Sequence, residues 1–491
     1  MKATTKSALL MGFGAFGVLL GGITVILWPG IFTSSLRRMM VLTNSSMSYG
    51  IWKDLPIPMY LECHLFNITN VEELLANKSA KIKVEELGPY VYREVHKKVN
   101  IVFNDNNTVT YQMERFWHFE PEMSNGSLSD LITSINPIVP TIAHIVRYQR
   151  AAIRLAADVF MRLYHEHMFI TANASSWLFD GIDDPILKTA HKIPDFPIYI
   201  PYDRFGWFYE RNGSQTYDGT FVMNTGAGDF SQLGNVEKWR YSTRSVYRGE
   251  CGAVKGSAGE LWAPERGQPE LTIFVPDLCT WIKLSEDKPM SLLNIEGMQF
   301  AANKSIFDNG WNYPHTACYC DEVRDRDCLP PGALNMSACR FNSPAFVSLP
   351  HFYLSDPYYP SKIEGLHPKE DHNFKLALEM LTGIPLQVSA QLQINFLVRH
   401  IPAINLNNQL PDPDMLVPMF WFRQELALTE EFAQSARLAL RVNRIVPIVL
   451  YVVTAIGGLL LLVGITILVN KLFKSPDTEP ILSESSEESN Q

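Results

Sequence analysis

Two uncharged apolar segments, one near each end of the chain, restrict its fold more than any other feature of the sequence. They cover residues 8–32 and 446–469. Because a helix rises about 1.5 Å per residue, each segment is long enough to cross a hydrocarbon core of roughly 30 Å. We therefore predict two transmembrane helices, with the long loop between them, residues 33–445, on one side of the membrane.

The first segment has a second interpretation, as a cleaved signal peptide. Its apolar run exceeds the roughly 7–15 residues typical of such a peptide, and no clear small-x-small cleavage site follows it. Lys471 and Lys474 follow the second segment and form an ordinary stop-transfer flank. We therefore expect both segments to remain as anchors, with the two tails, residues 1–7 and 470–491, on the same side of the membrane.

Basic residues do not decide which side the loop occupies, because Lys2 and Lys6 lie outside the first segment whereas Arg37 and Arg38 lie just inside the loop. Glycosylation triplets of the form N-x-S/T decide it better, since all nine fall in the loop. Their asparagines are Asn44, Asn67, Asn77, Asn106, Asn125, Asn173, Asn212, Asn303 and Asn335. We therefore expect a glycosylated extracellular or lumenal loop and cytoplasmic termini.

All seven cysteines also lie in the loop, as expected for disulfides in an oxidising compartment. Besides Cys63, they are Cys251, Cys279, Cys318, Cys320, Cys328 and Cys339. These six allow 15 pairings, and the residues alone do not choose among them. Zinc is the competing interpretation, but the single residue between Cys318 and Cys320 is too short a gap, and no His pair follows at ligand spacing. We expect no metal and no cofactor.

The loop contains no low-complexity linker and no internal repeat, which favours one large domain. Between Leu386 and Val398 apolar residues alternate with Gln, Ser and Asn. This period of two predicts a strand with one buried face and one wet face. Helical periodicity is concentrated within residues 137–181.

The clearest helix pattern covers residues 150–168. Its predicted inner face carries Ile153, Ala157, Phe160, Tyr164 and His167. The opposite face carries Arg147, Arg150, Arg154, Asp158, Arg162 and His165. Such a face has two interpretations: a solvated surface, or a contact for an anionic ligand or partner. The four arginines are the candidate ligand-binding residues.

Catalytic and nucleotide-binding signatures are absent from the sequence or misplaced in it. The one G-x-G-x-x-G, residues 12–17, lies inside the first apolar segment, where no strand precedes it. The overlapping pair Gly17 and Gly21 predicts close helix packing, against the second segment or against a second protomer in a homo-oligomer. The net charge of -9 argues against nucleic-acid binding. We therefore predict no catalytic residues and a protein that is not an enzyme.

Several short motifs resemble those of the class B scavenger receptor family, which includes fatty acid translocase, the lysosomal integral membrane proteins and a croquemort-like branch. They are ELGPYVY at 86–92, TYDG at 216–219, PHFYLSD at 350–356, GLHP at 365–368 and TGIPLQ at 382–387. The resemblance covers the whole chain, including the two terminal apolar segments around one glycosylated loop.

The resemblance implies an α+β fold: a large antiparallel β-barrel-like ectodomain with an apical helical bundle, anchored by two transmembrane helices. It also implies an apolar lipid tunnel and the disulfides Cys251–Cys318, Cys279–Cys339 and Cys320–Cys328, leaving Cys63 as a buried thiol. Family members bind ligands at the apical bundle. Mammalian fatty acid translocases have lysines just before the Met168–Phe169 position, whereas this chain has His165 and His167, which leaves the arginines as the candidate positive surface.

Two functions remain open. One is a scavenger receptor of the plasma membrane that takes up lipids (fatty acid, sterol or phospholipid), lipoproteins or anionic particles. The other is a lysosomal or endosomal sorting receptor that escorts a lumenal enzyme. Asp477, Ile481 and Leu482 in the C-terminal tail are close to an acidic dileucine signal, which would bind a clathrin adaptor; the alternative is an acidic tail with an incidental Ile-Leu pair.

Overall fold

The structure, a computed structural model, describes residues 3–192, 200–264, 269–320, 328–410 and 414–473. The chain forms two compact units. The small unit combines Met1–Arg38 with Gln434–Gln491, and the large unit is Met39–Ala433.

The small unit consists of most of two long apolar helices. These are α1, Ala3–Met40, and α8, Glu430–Phe473, which is the last helix of the chain. Their apolar stretches have mean hydropathies of 2.2 and 2.7, and most of their residues are exposed. Exposed apolar residues on the surface of a helix are stable when lipid surrounds the helix. The two helices fit the predicted two-pass arrangement.

Glycines bring the two long helices into close contact. A methyl group on Gly14 would lie 2.5 Å from the backbone nitrogen of Leu461, and one on Gly457 would lie 2.7 Å from that of Val18. Gly17 and Gly21 also face the second helix. The sequence predicted that Gly17 and Gly21 pack against either the second apolar segment or a second protomer. The structure shows packing against the second apolar segment, because small residues let the two helices approach closely.

The large unit is built mainly from antiparallel strands. Its principal strands are β1 Met59–Ile68, β2 Ile82–Phe103, β3 Thr108–Phe119, β4 Leu131–Ile135, β5 Phe169–Asn173, β6 Ile182–Asp183, β7 Arg204–Phe205, β8 Thr220–Asn224, β9 Val236–Trp239, β10 Glu270–Val275, β11 Thr280–Leu292, β12 Ile295–Ala301, β13 Leu334–Asn335, β14 Ala345–Ser348, β15 Ile363–Glu364, β16 Lys375–Leu378, β17 Pro385–Arg399 and β18 Asp414–Ala427. Its α-helices are α2 Met47–Lys53, α3 Val71–Ala76, α4 Ile138–Val146, α5 Ala151–Leu163, α6 Pro185–Lys192 and α7 Tyr358–Ser361.

One large sheet runs in the order β10-β11-β12-β16-β17-β18-β1-β2-β3-β8-β9. All neighbours along this path are antiparallel. Ser257 forms bridges with both Asn235, next to β9, and Ile273 in β10, so that it joins the two edge strands. Closure of this kind removes the exposed edges of a sheet. The predicted barrel-like α+β fold is confirmed.

The predicted wet face of the strand β17 is wrong for most of its length. Gln391, Gln393 and Asn395 are buried. A covering segment from β14 to residue 373 supplies their partners: the Gln393 carboxamide oxygen accepts a hydrogen bond from the His351 backbone at 2.6 Å, and Asn395 Nδ2 donates to Ser348 Oγ at 3.0 Å. Alternation in a strand reports polarity, but it does not report whether another segment covers the polar face.

Candidate ligand-binding face

The helices α4 and α5 form the region in which the sequence places ligand binding. α4 buries Ile138, Val139 and Ala143. α5 ends at Leu163, after which His165 adopts a left-handed conformation with φ of 59°. This turn brings the next residue back against the helix, where the Glu166 N–H donates to the Met161 carbonyl at 3.0 Å.

The orientation of α5 differs from the predicted one. Asp158, predicted on the solvated face, is buried, whereas Ile153 and His167, predicted on the inner face, are exposed. Asp158 is drawn inward because one carboxylate oxygen accepts a hydrogen bond from the Leu406 N–H at 2.9 Å. The hydrogen-bond partner of Asp158 lies far away in the sequence, so the periodicity of α5 could not indicate which face is buried.

The four candidate arginines fall into two pairs. Arg147 and Arg154 are half-buried and brace the connection between α4 and α5, where Arg154 donates to the Arg147 carbonyl at 3.2 Å. Arg150 and Arg162 are exposed at the two ends of α5. Arg162 lies 3.0 Å from the Asp158 carboxylate, which offsets part of its charge. The predicted continuous basic stripe therefore reduces to two exposed cations.

The outward surface of α5 is mainly apolar. Leu155, Val159 and Leu163, which we call the α5 apolar stripe, follow one another at intervals of four residues and are exposed, Leu163 by 72%. Residues at this spacing adjoin on a helix surface. An exposed apolar row on a helix that carries a cation near each end suits an amphipathic ligand, in which apolar chains lie beside anionic groups.

A second group of polar residues lies on the buried face of β2. Glu94, His96 and Lys98 alternate along the strand, and all three are buried. Lys98 forms an ion pair with Glu260, and His96 lies 2.6 Å from Glu94. Burial opposes the ionisation of Glu94, but His96 and Arg115 together lower the pKa of this carboxyl to about 2.

This buried charge network continues toward the strand β8. Asp218 lies 2.8 Å from Arg115 and 2.9 Å from Arg211. Arg211 also lies 2.9 Å from Asp277, which Arg340 approaches at 3.4 Å. The charges come from segments far apart in the sequence, so that local spacing did not reveal the network. Asp218, in the TYDG motif, was the one residue of the network that a sequence motif had singled out.

Glu86 forms the centre of a third polar cluster. One carboxylate oxygen lies 2.8 Å from His64 Nδ1, while the other lies 2.6 Å from His351 Nε2 and accepts a hydrogen bond from Trp421 Nε1 at 3.1 Å. Burial opposes ionisation, but the two imidazoles lower the pKa of Glu86 far below its usual value. Glu86 and His351 belong to two of the motifs that carry the family resemblance, which these contacts join in space.

The six clustered cysteines form three disulfides. The pairs are Cys251–Cys318, Cys279–Cys339 and Cys320–Cys328. They are the same pairs that the resemblance implies. Cys63 is a buried free thiol on β1, and burial raises its pKa well above the usual value. Within the described ranges, no group of three His, Cys, Asp or Glu side chains is arranged to hold a metal ion.

The nine sequon asparagines are not equally accessible. Asn67 and Asn335 are half-buried, and Asn67 Oδ1 accepts a hydrogen bond from the Thr133 N–H at 2.8 Å. The exposed ones are Asn44, Asn77, Asn106, Asn125, Asn173, Asn212 and Asn303. Asp477, Ile481 and Leu482 lie outside the described residues.

Comparison with known proteins places these features in one family. The CD36 family model matches residues 12–468 of the chain. Scavenger receptor class B member 1 of Cricetulus griseus is 33% identical over 466 residues, which cover 93% of this chain and 88% of the relative. Protein peste of Drosophila melanogaster is 32% identical over 446 residues, 89% of this chain and 77% of that protein. The resemblance stated from the motifs is confirmed.

A lysosomal protein is also similar to the chain. Lysosome membrane protein 2 of Homo sapiens is 29% identical over 429 residues, which cover 86% of each chain.

The disulfide arrangement yields a direct prediction. Non-reducing peptide mapping of the purified protein should recover the three pairs, with Cys63 unmodified by an alkylating reagent until the protein is unfolded, because the thiol is buried and protonated. A peptide in which Cys63 is bridged to any of the other six cysteines would contradict the arrangement.

Proposed function

Because the chain belongs to the CD36 family, we propose that it is a two-pass membrane receptor of the scavenger type that captures lipid-bearing or anionic particles on its helical bundle. The observation that carries this proposal is the α5 apolar stripe together with Arg150 and Arg162, the exposed cations near the two ends of α5. Fatty acids, phospholipids and the surfaces of lipoproteins present apolar chains beside anionic groups, which match this surface chemically. Relatives named as scavenger receptors support the same role.

In this proposal the large unit is the glycosylated ectodomain, both termini are cytoplasmic, and α5 belongs to the apical ligand-binding region. The two apolar helices anchor it in the plasma membrane, with an endosomal or lysosomal pool.

Lipid transfer through the ectodomain is the second part of the proposal. A cavity of about 310 Å³ lies near the strands that close the barrel. Its lining combines apolar residues, among them Leu233, Trp262 and Leu378, with the charged residues Lys255, Glu270 and Glu379. This volume is at the lower end of the range of roughly 300–1,000 Å³ for small-molecule sites. A tunnel for fatty acid, sterol or phospholipid would connect such space with the apex.

A sorting receptor that escorts a lumenal enzyme is the alternative function. The similarity to lysosome membrane protein 2 and the tail residues Asp477, Ile481 and Leu482 favour it. An acidic residue four positions before an Ile-Leu pair offers a clathrin adaptor both a charge and an apolar anchor.

Reversing the charges of the two exposed arginines tests ligand capture. Arg150→Glu combined with Arg162→Glu should lower binding of anionic phospholipid vesicles to cells expressing the full chain by about tenfold, since steering by surface charge accounts for effects of this size. The loss should shrink as the salt concentration rises. Flow cytometry with fluorescent vesicles measures the binding.

The matched control is Arg93→Glu with Lys97→Glu, which makes the same change in charge at exposed positions of β2. It should bind as the wild type does. If the Arg150 and Arg162 variant reaches the surface and binds normally, the α5 face is a solvated surface and the proposed capture site is wrong.

Sorting is tested in the tail. Ile481→Ala with Leu482→Ala should increase the fraction of protein at the cell surface, because an adaptor loses its apolar anchor, and Asp477→Ala should do so more weakly. Surface biotinylation measures this fraction, with Ser483→Ala as a matched control. A double variant distributed like the wild type would make the Ile-Leu pair incidental and remove the tail's support for the sorting function.

A further inference from the structure

Two carboxyl groups meet where the helices α4, α5 and α6 converge. Glu166 follows the C-terminal end of α5, and Asp184 immediately precedes α6. Both residues are buried, with 8% and 7% of their surface exposed. The two carboxyl groups interact closely enough to shift each other's pKa. Two carboxyl groups can share a hydrogen bond only when one of them is protonated.

The pair is connected to all three helices. Asn136, just before α4, donates a hydrogen bond from Nδ2 to Glu166 Oε2 at 2.5 Å and accepts one from the Ile138 N–H at 3.0 Å. Asp184 accepts a hydrogen bond from the Leu187 N–H in the first turn of α6 at 2.8 Å. The N-terminal ends of α4 and α6 therefore meet the loop that ends α5 through this one cluster.

The surroundings of the two carboxyl groups favour a proton on Glu166. Burial and the neighbouring Asp184 raise the pKa of Glu166 from its usual 4.5 to about 7. Burial also raises the pKa of Asp184, but backbone N–H groups of Leu187 and Ile186 stabilise its charged form. Of the two groups, Glu166 therefore holds a proton more readily, and Asp184 is the better acceptor.

Other charged groups around the pair are few in the described part of the chain. On the side of α6, the exposed Asp183 raises the pKa of Asp184, and it is itself paired with Lys188 at 2.6 Å and with Arg204 of β7 at 4.0 Å. On the α5 side, the exposed His165 and His167 flank Glu166. From α4 the pair meets the uncharged Asn136. No cation from these elements forms an ion pair with Glu166 in the described residues, so that a second negative charge would stay uncompensated.

We propose that Glu166 and Asp184 form a proton-operated clamp that holds α4, α5 and α6 together at acidic pH and loosens this junction as the pH rises past neutral. Below the usual pKa of a glutamate the clamp contributes its full stabilisation, which is lost as the pH rises through about 7. Compartments at about pH 5–6 would hold the junction more firmly, and it would open more often at the pH outside the cell. The inference concerns the bundle itself and holds whether or not α5 binds a ligand.

Hydrogen exchange of the full-length protein tests the clamp. After correction for the pH dependence of chemical exchange, protection of residues 151–168 should be about tenfold greater at pH 6 than at pH 8, since one pKa unit corresponds to a factor of ten. Residues 385–399, in β17, serve as an internal control that should change little.

Glu166→Gln keeps the acceptor for Asn136 and a donor for Asp184 without titrating, so that protection should become equal at the two pH values within about twofold. Asp184→Asn, which keeps the cap on α6 and removes the neighbouring charge, should weaken the pH dependence without abolishing it, because the burial of Glu166 remains. His165→Gln with His167→Gln should retain it.

Three results would overturn the proposal. These are a wild-type protein equally protected at both pH values, a Glu166→Gln variant that keeps the tenfold difference, and a histidine double variant that loses it.

Discussion

Enclosing charges inside a nearly closed sheet is the constraint on which the large unit depends. Four carboxylates in the network, Glu94, Glu260, Asp218 and Asp277, are matched by four cations, Lys98, Arg115, Arg211 and Arg340. Removing one partner of a buried pair leaves an uncompensated charge, which costs about 3–5 kcal/mol. Since the charges reside on segments from residue 94 to residue 340, the network can form only when the strands have their final neighbours.

Polar residues that look unrelated in the sequence therefore form pairs in the structure. Glu86 and His351 lie 265 positions apart, and their contact brings two distant motifs together in space. The same covering segment encloses the polar side of β17. Buried polar groups require partners. Here those partners come from the segment that covers this side of the strand, far from β17 in the sequence or on other strands.

Residue patterns predicted the two apolar helices and, by resemblance, the barrel-like fold, because length, hydropathy and motifs are local properties. They did not predict the orientation of α5, since Asp158 is turned inward by a backbone N–H of Leu406, 248 positions away. For the same reason the four arginines looked equivalent, although Arg147 and Arg154 serve the connection between α4 and α5. The buried charge network and the Glu166–Asp184 pair were likewise out of reach, because tertiary contacts create both.

Capture of lipid by the large unit is the central functional claim, and its most direct test is photo-crosslinking in cells that express the full chain. A fatty acid or phospholipid carrying a photoreactive group is supplied to the cells, and labelled peptides are identified by mass spectrometry. We predict label on peptides of residues 39–433, including the helix α5. Label confined to residues 8–32 and 446–469, which any bilayer lipid would contact, would contradict the claim.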